Sequence, residues 1–264
     1  MKSRAPIGLV VPAVGGVLLI VVPLIGLLQR VPWSDVATQA TSPEVRQALR
    51  LSLQCSFGAL AVSLVLGVPL AWVLARVPFP GRSVVRALVL LPMVVPPVVG
   101  GVALLYAFGR QGLLGRHLGS LPLFPLPFTT RAVVLAEAFV AMPFLVVTAE
   151  AGLRQLNPRY EEAAATMGAG PWRRFWTVTV PLISPSLAAG AALAWARALG
   201  EFGATITFAG NLPGRTQTMP SAIYVSLESR PETAIVLSLI LLAISLAVLI
   251  VLRGWWLQLD RAAR

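Results

Sequence analysis

Arg197 and Glu201 stand four residues apart in an otherwise apolar stretch, Ala194-Trp195-Ala196-Arg197-Ala198-Leu199-Gly200-Glu201. On a helix that spacing puts opposite charges on one face, where they can pair. Glu137 is a similar acid among apolar neighbours, without an evident partner. Charge in such surroundings is costly and marks a cavity, a counter-charge or both. Covalent chemistry finds little to work with. A single cysteine, Cys55, excludes an intrachain disulfide and a cysteine metal cluster. A single histidine, His117, excludes an HExxH zinc site, and its Gly- and Pro-rich surroundings predict a solvated residue. The only lysine, Lys2, follows no GxxxxGK[ST], so the chain supplies no P-loop for ATP.

A second polar element runs Asn157-Pro158-Arg159-Tyr160-Glu161-Glu162-Ala163-Ala164-Ala165-Thr166-Met167-Gly168. Asn157 suits an N-cap and Pro158 the first helical position. Glu161 and Glu162 fall where the helix dipole favours acids, and Gly168 suits the left-handed residue that ends a helix. Gly170-Pro171 then starts a second short helix through Trp172 to Phe175, closed by Pro181 and Pro185. The small Ala163-Ala164-Ala165 face is shaped to lie in a groove on a partner.

These elements are positioned by a very apolar chain. Of 264 residues, 57% are hydrophobic and 12% charged, against about 25% charged in a soluble domain. That composition excludes an ordinary soluble enzyme and a disordered chain, and it defines an all-α integral membrane protein immersed in a lipid bilayer. Six stretches are long enough to span: Ile7–Leu28, Leu51–Ala75, Ala87–Phe108, Ala132–Ala149, Leu187–Phe208 and Thr233–Leu252. The first is too long for a secretory signal and lacks a small-x-small cleavage site, so it is read as a retained span. The whole chain, 1–264, is one transmembrane domain, with the polar loop at about 151–185.

The net charge of +11 sits in arginines between the apolar runs, a pattern of membrane topology rather than nucleic-acid binding. With the N-terminus inside, the inner segments carry Lys2, Arg4, Arg76, Arg82, Arg86, Arg154, Arg159, Arg173, Arg174, Arg253, Arg261 and Arg264. The outer loops carry Arg30, Arg46, Arg50, Arg110, Arg116, Arg131, Arg215 and Arg230. Twelve against eight places both termini in the cytoplasm. Pro69, Pro92, Pro96, Pro97 and Pro143 fall inside spans, and each removes a backbone donor. The Pro96-Pro97 pair followed by Gly100-Gly101 fits a broken third span facing a neighbour or cavity. It also fits a packing kink.

The polar loop resembles the EAA loop of bacterial ABC importer permeases: EAA, three residues, Gly, nine residues, then I-x-L-P. Glu162-Ala163-Ala164 and Gly168 match, and Val178-Thr179-Val180-Pro181 stands nine residues later, with Val replacing Ile and Leu. Three further stretches look like the molybdate and sulfate permeases. They are Arg197–Thr205 with Phe208-Ala209-Gly210-Asn211, Pro213–Pro220 with Ile223-Tyr224, and Leu91–Gly101 with Leu104–Gly109. The last is most like the molybdate branch, with tungstate and sulfate as alternatives.

The resemblance implies the fold of that family: six transmembrane helices and a cytoplasmic coupling helix that docks into the ATP-binding subunit. It assigns coupling to Glu161, Glu162, Ala163, Ala164, Gly168 and Pro181. It makes Pro96, Pro97, Arg197, Glu201 and Thr205 candidates for the pathway or the dimer interface. The Arg197–Glu201 pair then lies beside the anion pathway or fixes packing between subunits. It further implies a homodimer in the bacterial inner membrane, two ATP-binding cassette subunits that use the ATP, and an extracytoplasmic oxyanion-binding protein. This chain itself binds no cofactor or metal and does no covalent chemistry. A secondary transporter would need its own ion-coupling site and often an inverted repeat, and no convincing repeat is visible.

Overall fold

The computed structural model describes residues 7–119, 124 and 126–262. Lys2, Arg4 and Arg264, counted above, lie outside the described residues. In order, the helices are α1 (Ile7–Gln29), α2 (Val36–Ala40), α3 (Pro43–Arg76), α4 (Arg82–Val94), α5 (Pro97–Phe108), α6 (Gly115–Leu118) and α7 (Thr130–Gln155). They continue as α8 (Arg159–Thr166), α9 (Pro171–Arg174), a π-helical turn (Phe175–Thr179), α10 (Val180–Leu199), α11 (Gly203–Ala209), α12 (Met219–Ser229) and α13 (Pro231–Ala262). The described residues contain no strand.

Five helical segments are long and apolar enough to cross a membrane, and α4 with α5 makes a sixth if the bent pair counts as one. The exposed apolar side chains of α1, among them Leu9, Leu19 and Ile20, need a lipid environment. At the centre stands α7, most of it buried, with α3 and α10 packed along its sides. Small residues allow the close approach. Ala132, Ala136, Ala141 and Ala149 of α7 are fully buried. At Gly152 an added Cβ would lie 2.5 Å from the Ser186 hydroxyl of α10, so a side chain there would push the two helices apart.

The third span is broken. Val95 and Pro96 are both extended, with ψ of 134° and 133°, because a residue preceding proline is driven out of the α region. The chain turns by 118° between α4 and α5. A simple kink is therefore excluded. Gly101 and Gly203 bring α5 and α11 together: an added Cβ would lie 2.7 Å from Thr207 Cβ at the first and 2.9 Å from Pro97 Cβ at the second.

The fifth span departs from expectation. It runs Pro171–Leu199, not Leu187–Phe208. The short helix expected after Gly170 does not end before the span; it passes through the π turn into α10 without a break. Pro181 and Pro185 do not close a segment but lie within α10. Pro181 is tolerated because it follows directly on the wider π turn, where the regular hydrogen-bond ladder is already interrupted. The helix ends instead at Gly200, and α11 is a separate short element. Glu201 and Thr205 thus lie outside the span helix that carries Arg197 in its last turn. The other spans extend beyond their expected bounds, most of all α3 and α13.

Candidate coupling loop and buried charge cluster

At the Gln155 end of α7 the chain turns into α8. The Asn157 side chain accepts a hydrogen bond from the Arg159 amide at 3.1 Å, so Asn157 caps as expected, although the helix is counted from Arg159. At the other end, Gly168 has φ +85°, its N–H bonds the Ala165 carbonyl, and the Ala169 N–H reaches back to Ala164. This pair of bonds is a Schellman stop. A Cβ at Gly168 would meet open space, so the demand for glycine comes from the backbone alone.

The two acids of α8 face different ways. Glu161 is held inward: the Thr179 hydroxyl donates to it at 2.6 Å, and the Arg76 guanidinium lies 3.4 Å away. Arg76 ends α3 and Thr179 ends the π turn, so one carboxylate links α8 to two spans. Glu162 is exposed. The three alanines do not form one face: Ala163 and Ala165 are exposed, while Ala164 turns inward and is buried. Met167 is 81% exposed beside them. Pro181 is exposed on α10 rather than on α8. The exposed Trp172 and Trp176 pack with Phe175 at ring distances of 5.2–6.1 Å beside the loop.

Near the other end lies the second cluster. Glu201 is 1% exposed, and one oxygen pairs with Arg197 Nη2 at 2.6 Å. Its other oxygen accepts from the Ala204 amide at 2.7 Å, which caps α11. The four-residue spacing holds, but Glu201 reaches back across the helix end rather than along a shared face. The Thr205 hydroxyl donates to the Phe202 carbonyl at 2.8 Å. Glu137 of α7 is also 1% exposed, and Cys55 of α3 is fully buried. One Glu137 oxygen has no hydrogen-bond partner among the described residues. Pro96 and Pro97 stand exposed at the α4–α5 break, next to Val98 and Val99. His117 is exposed and accepts from the Arg116 guanidinium at 3.0 Å.

Sequence reasoning missed one network. Glu150, buried near the end of α7, pairs with Arg86 of α4 at 2.5 Å and with Arg154 at 2.8 Å. Arg82 donates to the Leu74 and Ala75 carbonyls that end α3. By position in the sequence alone, these arginines register only as topology charges. The available signal was Arg82 and Arg86 at helical spacing together with a lone acid, Glu150, four residues before Arg154.

A bundle of spanning helices with a capped helix exposed at one end defines a multi-pass membrane protein. The family model described as "Binding-protein-dependent transport system inner membrane component" matches residues 67–260. The chain belongs to this family. It is 45% identical over 241 residues to the "Molybdenum transport system permease protein ModB" of Mycobacterium tuberculosis, covering 90% of each chain. To the protein of the same name from Escherichia coli K12 it is 42% identical over 227 residues, covering 85% of this chain and 99% of that one. The "Sulfate transport system permease protein CysT" of Escherichia coli K12 is 37% identical, with 86% and 83% covered. Among solved structures, a bacterial alginate ABC transporter in complex with an alginate-bound periplasmic protein superposes with a TM-score of 0.74 at 18% identity, covering 93% of this chain and 91% of that one. The inward-facing MetNI methionine ABC transporter gives 0.54 at 19%, with 80% and 94% covered. The fold is that of ABC transporter permeases.

Proposed function

We propose that this chain forms the translocation pathway of an ATP-driven importer of molybdate, as a homodimer in the bacterial inner membrane. The supporting observation is α8: capped at both ends, fastened inward by Glu161, and presenting Glu162, Ala163 and Met167 outward. Two ATP-binding cassette subunits dock on this face, which is cytoplasmic along with both termini. An extracytoplasmic binding protein delivers the anion to the opposite end. Molybdate is favoured over sulfate by the higher identity to the permeases named for molybdenum transport.

We infer a route for movement of α8 that these contacts support. Closure of the ATP-binding pair displaces α8, and Glu161 transmits the displacement to Arg76 and Thr179. The π turn carries it into α10, whose far end holds Glu201 through Arg197. Glu201 fixes the start of α11, and α11 packs on α5 at Gly101 and Gly203. The α4–α5 break, with Pro96 and Pro97, and the Glu201 junction with Thr205 then form the gate near the dimer axis.

Uptake measurement tests the reading. Cells that depend on this system accumulate molybdate at trace supply, and tungstate competes. Equal competition by sulfate at comparable concentration would replace the molybdate assignment with the sulfate one.

A further inference from the structure

At the end of α7 opposite α8, a cleft of about 620 Å³ opens between Arg110, which follows α5, and Arg215, in the loop between α11 and α12. Leu105, Pro127, Phe128 and Thr129 complete its walls. Both arginines are exposed, and neither takes part in the ion pairs found among the described residues. The sequence supplies no acid nearby along the chain: residues 109–136 and 202–227 contain neither Asp nor Glu. Arg230 behaves differently, pairing with Glu44 at 2.8 Å.

The two guanidinium groups are presented by backbone that is already fixed. The Arg215 carbonyl accepts from Thr130 at 2.9 Å, which fastens the loop to the start of α7, and the Leu212 amide donates to the buried Thr216 hydroxyl at 2.9 Å. Phe128 holds φ +62°, rare for a residue with a side chain, and its ring fills the space beside Gly210, where an added Cβ would lie 2.9 Å away. After α5 the chain folds back on itself, with the Leu113 and Leu114 amides bonded to the Tyr106 and Ala107 carbonyls. Thr129, in the same cleft, caps α7, whose first turn has no acid to offset the positive end of its dipole.

We propose that this cleft is an entry site on the permease itself for a tetrahedral oxyanion, a proposal that rests on the import reading above. Planar guanidinium groups match such oxygens with paired N–H donors. Because both groups face water, binding is weak, and an ion held there passes on rather than being trapped. Twenty-six residues of α7 separate the cleft from α8, roughly 39 Å at 1.5 Å per residue. Leu105 lines the cleft and belongs to α5, the helix that packs on α11, so the cleft adjoins the proposed pathway. A phospholipid headgroup offers the same phosphate-like chemistry, and the test separates the two sources.

The permease is purified with its copurifying ATP-binding subunits in phosphatidylcholine nanodiscs, without binding protein. Equilibrium dialysis at low salt measures labelled molybdate and, separately, sulfate. Saturable binding of one anion per permease subunit is expected. Arg110→Gln and Arg215→Gln should each weaken it up to about fivefold, the scale of one exposed charge contact. The double variant should show no saturable binding, and Arg230→Gln should match the wild type. Equal binding by the double variant and the wild type overturns the proposal. So does retention of phosphatidylglycerol by the wild type alone in native mass spectrometry, with no saturable anion binding in phosphatidylcholine. If the cleft binds both anions while vesicles with binding protein and ATP move neither, the cleft stands and the import reading falls. If the double variant imports and binds as the wild type does, the cleft falls and the import reading stands.

Discussion

Glu161 and Glu201 are held by similar groups in opposite settings. Each has an arginine and one further donor. Glu161 lies near the surface, with Arg76 at 3.4 Å and the Thr179 hydroxyl at 2.6 Å. Glu201 is buried, with Arg197 at 2.6 Å and the Ala204 amide at 2.7 Å. Near water, a loose ion pair contributes little and can be broken and remade. In the membrane interior, separating the pair strands a charge where nothing solvates it. The first arrangement suits a joint that flexes as it transmits motion, and the second a joint that keeps α10 and α11 together while they move.

The sharpest way to break that comparison is at Arg197. Arg197→Gln leaves Glu201 buried without its counter-charge, a change that costs about 3–5 kcal/mol in buried pairs. Glu201→Gln should cost less. A glutamine oxygen still accepts from the Ala204 amide, so the cap of α11 is kept. Membrane levels of assembled complex should rank wild type, then Glu201→Gln, then Arg197→Gln, with the double variant above Arg197→Gln. Additive losses in the double variant would show that the two side chains act independently.

Gly168→Val comes next. The substitution meets no steric obstacle, so its cost is the left-handed backbone, on the order of 1–2 kcal/mol and confined to the stop of α8. The spans do not depend on that stop. Membrane levels should stay near normal while uptake is lost, and the ATPase should copurify poorly or cease to respond to loaded binding protein. Glu162→Lys should act the same way, because Glu162 is exposed on α8, the face proposed for docking. Normal uptake by Gly168→Val would remove α8 from the coupling path.

The two regions also differ in how far they could be read from sequence. The loop was legible because its signals are local: Asn157 and Gly168 each cap α8 through neighbours within five residues. The Arg197–Glu201 pair was legible as a spacing. Its geometry was not, because the end of α10 at Gly200 depends on α11 packing against α5 through Gly203 and Pro97, more than 100 residues apart. Pro181 misled because proline normally ends a helix, whereas here it follows directly on the π turn Phe175–Thr179 and lies in the first turn of α10. The inward turn of Ala164 follows from the way Glu161 fastens α8, and the Glu161–Thr179 and Glu150–Arg86 links join residues 18 and 64 positions apart. Hydrophobic length gave the six spans, since lipid acts on composition, but it could not separate α4 from α5 by angle.

The smallest expected effect lies at Thr179. Thr179→Val keeps the shape and removes the hydroxyl that donates to Glu161, a loss of about 1 kcal/mol for one hydrogen bond. The Arg76 contact remains, so α8 stays attached to α3 but loses its link to the π turn. Assembly should be unaffected and the ATPase should copurify normally. What should fall, roughly two- to fivefold for about 1 kcal/mol, is uptake per ATP hydrolysed, because closure of the ATP-binding pair no longer reaches α10 firmly. Thr179→Ser, which restores the donor, should return uptake to the wild-type level. Arg76→Gln should leave more coupling than Thr179→Val, since the guanidinium sits 3.4 Å from Glu161 whereas the hydroxyl sits at 2.6 Å. If Thr179→Val keeps full uptake per ATP while Arg76→Gln loses it, motion passes from α8 through α3 rather than α10, and the route to Glu201 drawn here is wrong.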